Sequence, residues 1–381
     1  MAQKSRSIFE EVGTTQKQVA APGGIDAKGQ GARVAIRGWL MVLFALVAIM
    51  IAVGGLTRLT DSGLSITEWA PVTGAIPPLS AEDWATEFDK YKEIPEYQLQ
   101  NAGMTLDEFK TIYWWEWGHR QLGRVIGLVW AVGFLFFLVT RKIPTGWTGK
   151  LFFVGALGGL QGAIGWWMVH SGLQAGMLDV ASYRLATHLG LAFVIFGFLA
   201  WYIMALSRRS ADIMQARRMG DSKLASLTTA LVVVAFVQIL IGALVAGIDA
   251  GRTYPDWPLM AGSFLPPEPF MLEPVWRNFF EDEGLVQFMH RMAGYFLFAF
   301  GFVVWRNGQR NANGQTRFAF NAMMAMLVIQ MLLGIVTVMY SAPWQAAILH
   351  QFGAVVLWVL ILRARFLARY PYPQSVRGKI A

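Results

Sequence analysis

Four histidines and one carboxylate are the side chains in this 381-residue sequence best suited to chemistry: His119, His188, His290, His350 and Glu116. Glu116 and His119 fall in WWEWGHRQLGRVIG (114–127), which also carries Arg120 and Arg124 and leads straight into the apolar run VWAVGFLFFLVT. Imidazole nitrogens ligate metal ions, a carboxylate can take a proton, and a guanidinium can meet an anion. Charge at the head of a lipid-bound segment is costly, and such groups commonly mark a functional site. Cysteine is absent, which excludes disulfides, thiolate metal sites, iron–sulfur ligation and cysteine nucleophiles. Metal chemistry must rest on His, Met or carboxylate.

The elements that position these residues follow from composition. The chain is 55% hydrophobic and 15% charged, with 16 Trp and a mean hydropathy of +0.43, the profile of a polytopic membrane protein. Apolar runs long enough to span lie near 38–58, 113–140, 150–170, 182–206, 224–248, 284–305, 318–340 and 346–366. The expected class is an all-α polytopic membrane protein of eight transmembrane helices. Residues 1–37 are polar and basic, with no cleavable signal evident, and read as a flexible cytoplasmic arm. Basic residues number six in 1–37, three in 141–150, five in 207–223, three in 306–317 and five in 363–381, against four in 58–112 and two in 249–283. The positive-inside rule therefore places both termini in the cytoplasm. It also makes the net charge of +8 a topology signal and not a nucleic-acid footprint. The outer loops 59–112 and 249–283 carry helix starts such as Ser80-Ala-Glu-Asp83 and Thr105-Leu-Asp-Glu108 and read as small folded caps.

The chain repeats itself. GGLTRLTDSGLSITEW (54–69) matches GALVAGIDAGRTYPDW (242–257), HRQLG (119–123) matches HRMAG (290–294), LQGAIG (160–165) matches IQMLLG (329–334), and the HLG at 188–190 matches HQFG at 350–353. This predicts two four-helix bundles related by an approximate two-fold along the membrane normal. Bundle one covers 38–207, a cytoplasmic linker 208–223, bundle two 224–366, and a cytoplasmic tail 367–381. Each histidine enters from the outer face and lies about 6–10 Å deep at 1.5 Å per residue. One such histidine on a membrane helix commonly bonds a neighbouring helix. Matched pairs at one depth instead suit axial ligation of heme iron in a dry slot, with Arg120 and Arg291 placed to meet propionates. His170 has no counterpart and reads as interfacial or substrate-adjacent. The Gln-x-x-x-Gly turns at Gln161, Gln238 and Gln330 read as helix packing. The halves differ in one respect: Glu116 stands one turn before His119, whereas Gln287 stands before His290. Acid–base chemistry is thus available beside one metal site only.

GGLTRLTDSGLSITEWAPVTGAIPPL (54–79), EWGHRQLGR (116–124), the HLG of 188–190, HRMAG and His350 together resemble the heme A synthase family in its cysteine-free alphaproteobacterial and mitochondrial form. The resemblance runs from about residue 35 to 370. It implies oxidation of the C8 methyl of heme O to a formyl group by successive hydroxylations, giving heme A for cytochrome oxidase. It further implies that Glu116, His119 and His188 form the substrate site and that His290 and His350 ligate a heme b. The implied setting is the cell inner membrane, with heme sites toward the outer leaflet. Implied partners are a heme O synthase, cytochrome oxidase assembly factors, an unidentified electron-transfer partner and membrane lipid; a homo-oligomer is compatible with the sequence. Two other readings stay open on the residues alone. A non-catalytic b-type diheme electron carrier explains the paired histidines but not the Glu/Gln difference. A transporter on a parallel repeat calls for helices broken at mid-membrane, yet the prolines lie mostly in loops.

Overall fold

The computed structural model describes residues 30–373. Twelve α-helices follow in chain order: α1 Gln30–Leu59, α2 Ala81–Lys92, α3 Pro95–Leu99, α4 Leu106–Val139, α5 Thr148–Gly172, α6 Ser182–Leu206, α7 Ser210–Arg218, α8 Ser222–Gly247, α9 Asn278–Glu281, α10 Glu283–Gln309, α11 Gly314–Met339 and α12 Trp344–Arg369. Eight of them, α1, α4, α5, α6, α8, α10, α11 and α12, are long and apolar enough to cross a membrane. Helices satisfy their backbone groups internally, which a lipid interior demands. Among the described residues there is no β-strand, only an isolated bridge between Met260 and Ser263. The chain is a multi-pass membrane protein.

Two boundaries differ from the sequence reading. Helix α1 starts at Gln30, inside the segment read as an arm, and residues 1–29 lie outside the described region. Helix α4 starts at Leu106, two turns ahead of the apolar run, because Thr105 and Glu108 form a full capping box at its N-terminus. That box opens the membrane helix itself and not a separate cap. The box at Ser80 and Asp83 does start a short outer helix, α2. Helices α2 and α3 pack Phe88, Tyr91 and Ile94 against Phe109 and Tyr113 of α4, with Leu64, Ile66 and Val180 completing the cluster. The segment between α1 and α4 is thus a folded layer seated on the N-terminal end of α4.

Within the first half, α1 packs on α4 and α6, and α5 on α6; within the second, α8 packs on α10 and α12, and α11 on α10 and α12. The halves meet where α6 lies on α8 and α12, and where α1 lies on α12. This arrangement is consistent with the expected pseudo-symmetry. Burial against lipid brings no hydrophobic gain between helices, so the seam depends on close packing and interhelical hydrogen bonds. Trp358 of α12 packs edge-on against Phe193 of α6, with centroids 6.1 Å apart, and donates Nε1–H to the Phe193 carbonyl at 3.1 Å. The space for this indole is Gly197, where an added Cβ would come within 3.1 Å of Trp358 Nε1. Gln351 donates to the Ile51 carbonyl of α1 at 2.6 Å.

The start of α1, the segment before α7 and the residues after α12 meet at the opposite face from the histidines. Arg33 donates to the Arg208 carbonyl at 2.6 Å, and Arg208 donates to the carbonyls of Tyr370 and Pro371 at 2.6 and 3.1 Å. Helix α7 fills much of the segment 208–223. Residues 374–381 of the tail lie outside the described region.

Candidate heme and substrate sites

Each of the four matched histidines sits in the N-terminal half of a spanning helix against a glycine of the preceding spanning helix. A Cβ added to Gly165 would stand 2.9 Å from His188 Cε1, one on Gly242 3.0 Å from His290 Cε1, and one on Gly334 2.9 Å from His350 Cε1. Only glycine lets the ring approach this closely. At the fourth station, a Cβ on Gly54 would meet His119 at Nε2, 3.2 Å away, and then at Cδ2. His119 therefore turns a different edge to its glycine.

Three stations add a glutamine one turn before the glycine. Gln161, Gln238 and Gln330 donate Nε2–H to the backbone carbonyls of His188, His290 and His350 at 2.9, 3.0 and 2.8 Å. Each amide nitrogen also lies 3.1–3.2 Å from the histidine Nδ1. Sequence reasoning took these residues for helix packing. The repeated Gln-x-x-x-Gly spacing was the visible signal, and its object is the histidine of the next spanning helix. The Oε1 atoms of all three glutamines are buried without a partner. An imidazole ligating through Nε2 carries its proton on Nδ1, and a metal-bound histidine usually donates that proton to a neighbouring acceptor. At each Nδ1 here stands the amide nitrogen, itself a donor, while the Gln330 Oε1 is turned toward Gly353.

The second-half pair has the spacing of two ligands on one ion. The His290 and His350 ring centroids are 6.4 Å apart with planes at 86°. An imidazole nitrogen lies about 2 Å from a first-row metal and about 1.2 Å from its own ring centre, so two rings on one ion stand roughly 6–7 Å apart. Among the described residues, no group of three or more His, Asp or Glu converges on one point. Two protein ligands per half leave the remaining coordination to the bound group, as a porphyrin requires. The residues present fit heme.

Glu116 distinguishes the first half. It is 3% exposed and accepts four hydrogen bonds. Ser65 Oγ and the Ile66 backbone N–H donate to Oε2 at 2.7 and 2.8 Å, and Arg120 Nε and Nη2 donate to Oε1 at 3.0 and 2.6 Å. The carboxylate is therefore enclosed by its donors and not solvated. Ser65, which sequence reasoning missed, comes from the loop after α1. Arg120 continues to the carbonyls of Ile66 and Glu68 at 2.7 and 2.9 Å, while Arg124 holds those of Ala70 and Pro71 at 3.0 and 2.9 Å. The charges at the head of α4 thus pin the loop that follows α1.

In the second half, Gln287 donates to the Tyr254 carbonyl at 3.2 Å, and Arg291 to those of Tyr254 and Leu259 at 2.8 and 3.0 Å. Each arginine thus braces its own outer loop, and the Arg291 Nε stays buried without a partner. His170 is exposed, stacks on Trp166 at 6.0 Å, and helps line a cavity of about 40 Å³ with Trp69 and Arg120.

A ring of charge lies just outside the first-half site. Arg58 pairs with Asp61 and Asp249 at 2.7 Å each and with Asp179 at 3.6 Å, joining three loops across both halves. Nearby Glu96 is 3% exposed, with its Oε2 unpartnered. Burial pushes its carboxyl up to about 8, with Asp179, Asp61 and Glu116 adding to the rise and Arg58 opposing it.

The chain matches the family model of cytochrome oxidase assembly proteins (COX15-CtaA) over residues 37–362. It is 68% identical over 381 residues to heme A synthase of Dinoroseobacter shibae, covering 99% of this chain and 100% of that one. It is 66% identical over 378 residues to heme A synthase of Ruegeria sp. TM1040, covering 98% and 99%. Against heme A synthase of Paracoccus denitrificans the identity is 59% over 377 residues, covering 98% and 99%.

Proposed function

The chain belongs to the cytochrome oxidase assembly protein family, and we infer from this and from its site that it acts as a heme A synthase, a membrane oxidoreductase that takes heme O as substrate and gives heme A as product. The observation that carries the finer reading is the difference between otherwise matched halves, a buried carboxylate beside His119 where the second half has an amide beside His290. On this reading the first half is the reaction site. His119 and His188 hold the substrate iron, and Glu116 serves the methyl group.

Oxidising a methyl group to a formyl group releases protons as electrons leave, so a base near the reacting carbon lowers the barrier. Glu116 has two oxygens to receive a proton, and Ser65 Oγ–H at Oε2 and Arg120 at Oε1 fix their directions. The same contacts tie the loop after α1 to α4 beside Glu116. In the second half, His290 and His350 hold a heme b, which supplies one-electron transfer when bound. Gln287 there can orient a neighbour but cannot take a proton. Arg291, with its unpartnered Nε, and Arg120, already bonded to Glu116 and the loop, are the cations that would meet heme propionates.

The histidines lie at the end of the bundles opposite the basic residues Arg33 and Arg208, which supports heme sites toward the outer leaflet of the inner membrane and both termini in the cytoplasm. Pigment extraction from protein co-expressed with a heme O synthase tests the assignment. Heme b together with heme O or A supports it. Heme b alone identifies a diheme electron carrier, and no heme at all a transporter.

A further inference from the structure

The four histidine stations are built alike except for one side chain. Gln161, Gln238 and Gln330 stand one turn before Gly165, Gly242 and Gly334, whereas the residue one turn before Gly54 is Met50. Packing shows that Met50 occupies the glutamine's place. A Cβ added to Gly123, four residues after His119, would lie 3.5 Å from Met50 Cε, and one on Gly294, four residues after His290, would lie 3.3 Å from Gln238 Nε2. A thioether has no N–H to give a backbone carbonyl and is only a weak acceptor for a ring N–H. His119 therefore lacks the amide that clips the backbone carbonyl of the other three histidines and stands beside their rings. Its ring is also turned, with Nε2 toward Gly54 where the others present Cε1.

We propose that Met50 makes His119 the exchangeable iron ligand of the protein, the one that releases and re-forms as heme O enters and heme A leaves, while the three glutamine-clipped histidines hold their positions. A synthase must let go of its product, and an enzyme with four equally fixed ligands would retain both hemes. The amide anchors the histidine's own backbone carbonyl and packs beside its ring, so deleting it at one station selects which ligand is held least firmly. Met50 is on this account a positioning residue, acting through His119. The inference rests on the assignment of the first half as the substrate site.

The test measures heme release directly. Purified full-length protein carrying its native hemes is mixed with excess apomyoglobin as a scavenger, and transfer is followed by absorbance, with the heme lost in each phase identified by chromatography. Wild type should show a fast phase carrying heme O or A and a slow phase carrying heme b. Met50→Gln should slow the fast phase by roughly tenfold, the worth of one buried hydrogen bond, and leave the slow phase unchanged. Met50→Leu, which keeps the bulk and adds no amide, should release as wild type does. Gln238→Met should speed the slow phase by a similar factor, and decides the matter if Met50→Gln does not fold. Equal release from Met50→Gln and wild type, slowing by Met50→Leu as strong as by Met50→Gln, or an unchanged slow phase in Gln238→Met would overturn the proposal. A wild type holding heme b in both phases would instead overturn the functional assignment, which the release rates of the variants do not depend on.

Discussion

The imidazoles of His290 and His350 face each other across 6.4 Å with their planes nearly perpendicular, at 86°. Each ring rests on a glycine, Gly242 or Gly334, at a distance where a side chain would collide with it. Gly334→Ala should push the His350 ring off its axis while leaving α11 intact, since alanine is the better helix former. The expected result is a folded protein that has lost most of its second-half heme, measured as heme-to-protein ratio by pyridine hemochromogen. Gly165→Ala should do the same to the first half. Full heme occupancy in both variants would show that the glycines do not set ring position.

Arg58 is a clamp between the halves. It is the shared partner of Asp61, Asp179 and Asp249, and Asp61 and Asp249 sit at matched repeat positions with left-handed φ of 46° and 54°. Removing the cation leaves three carboxylates facing one another. Because those partners are about half exposed, the expected loss is about 1–3 kcal/mol and not the full value of a buried pair. Thermal unfolding of Arg58→Gln in detergent should show a lowered Tm, partly restored by adding Asp249→Asn. An unchanged Tm would mean that the charges are solvated separately.

Glu96 makes stability depend on pH in a defined direction. Its carboxyl ionises near its ordinary 4.5 in the unfolded chain and at about 8 when folded, so the folded state binds the extra proton between those values. Stability from this group is complete below about 4.5, falls as pH rises toward 8, and is flat above. Relative to wild type, Glu96→Gln should therefore have a Tm that gains with rising pH across that window, by a few degrees. Parallel Tm curves for the two proteins would refute the assignment of this slope to Glu96.

Much of the architecture was readable from residue order because lipid permits few alternatives. An apolar run of about 20 residues has to be a helix, and matched His-Arg and Asp-x-Gly strings reveal two halves before any coordinate is known. The Glu116/Gln287 difference was likewise plain in the text. What stayed hidden depends on which helix faces which. The capping box at Thr105 looks the same whether it opens a short cap or a membrane helix. Gln161, Gln238 and Gln330 could have bonded any neighbour, and only the packing of α5 on α6, α8 on α10 and α11 on α12 aims them at histidines. Ser65 and the Ile66 N–H reach Glu116 from some 50 residues away in sequence, a contact no local pattern encodes. Met50 stands out only once the other three stations are superimposed on its own.

The central claim is that the carboxylate in one half, and not the histidines common to both, separates a reacting heme from a held one. Chromatographic identification of hemes from wild type and Glu116→Gln, each co-expressed with a heme O synthase, tests it most directly. The substitution copies Gln287 and keeps an oxygen able to accept from Ser65, Ile66 or Arg120. The account predicts heme A in the wild type, and in the variant normal heme b with heme O bound but heme A reduced by at least roughly a hundredfold, in the range typical of a lost acid–base group. Wild-type levels of heme A from Glu116→Gln would contradict it.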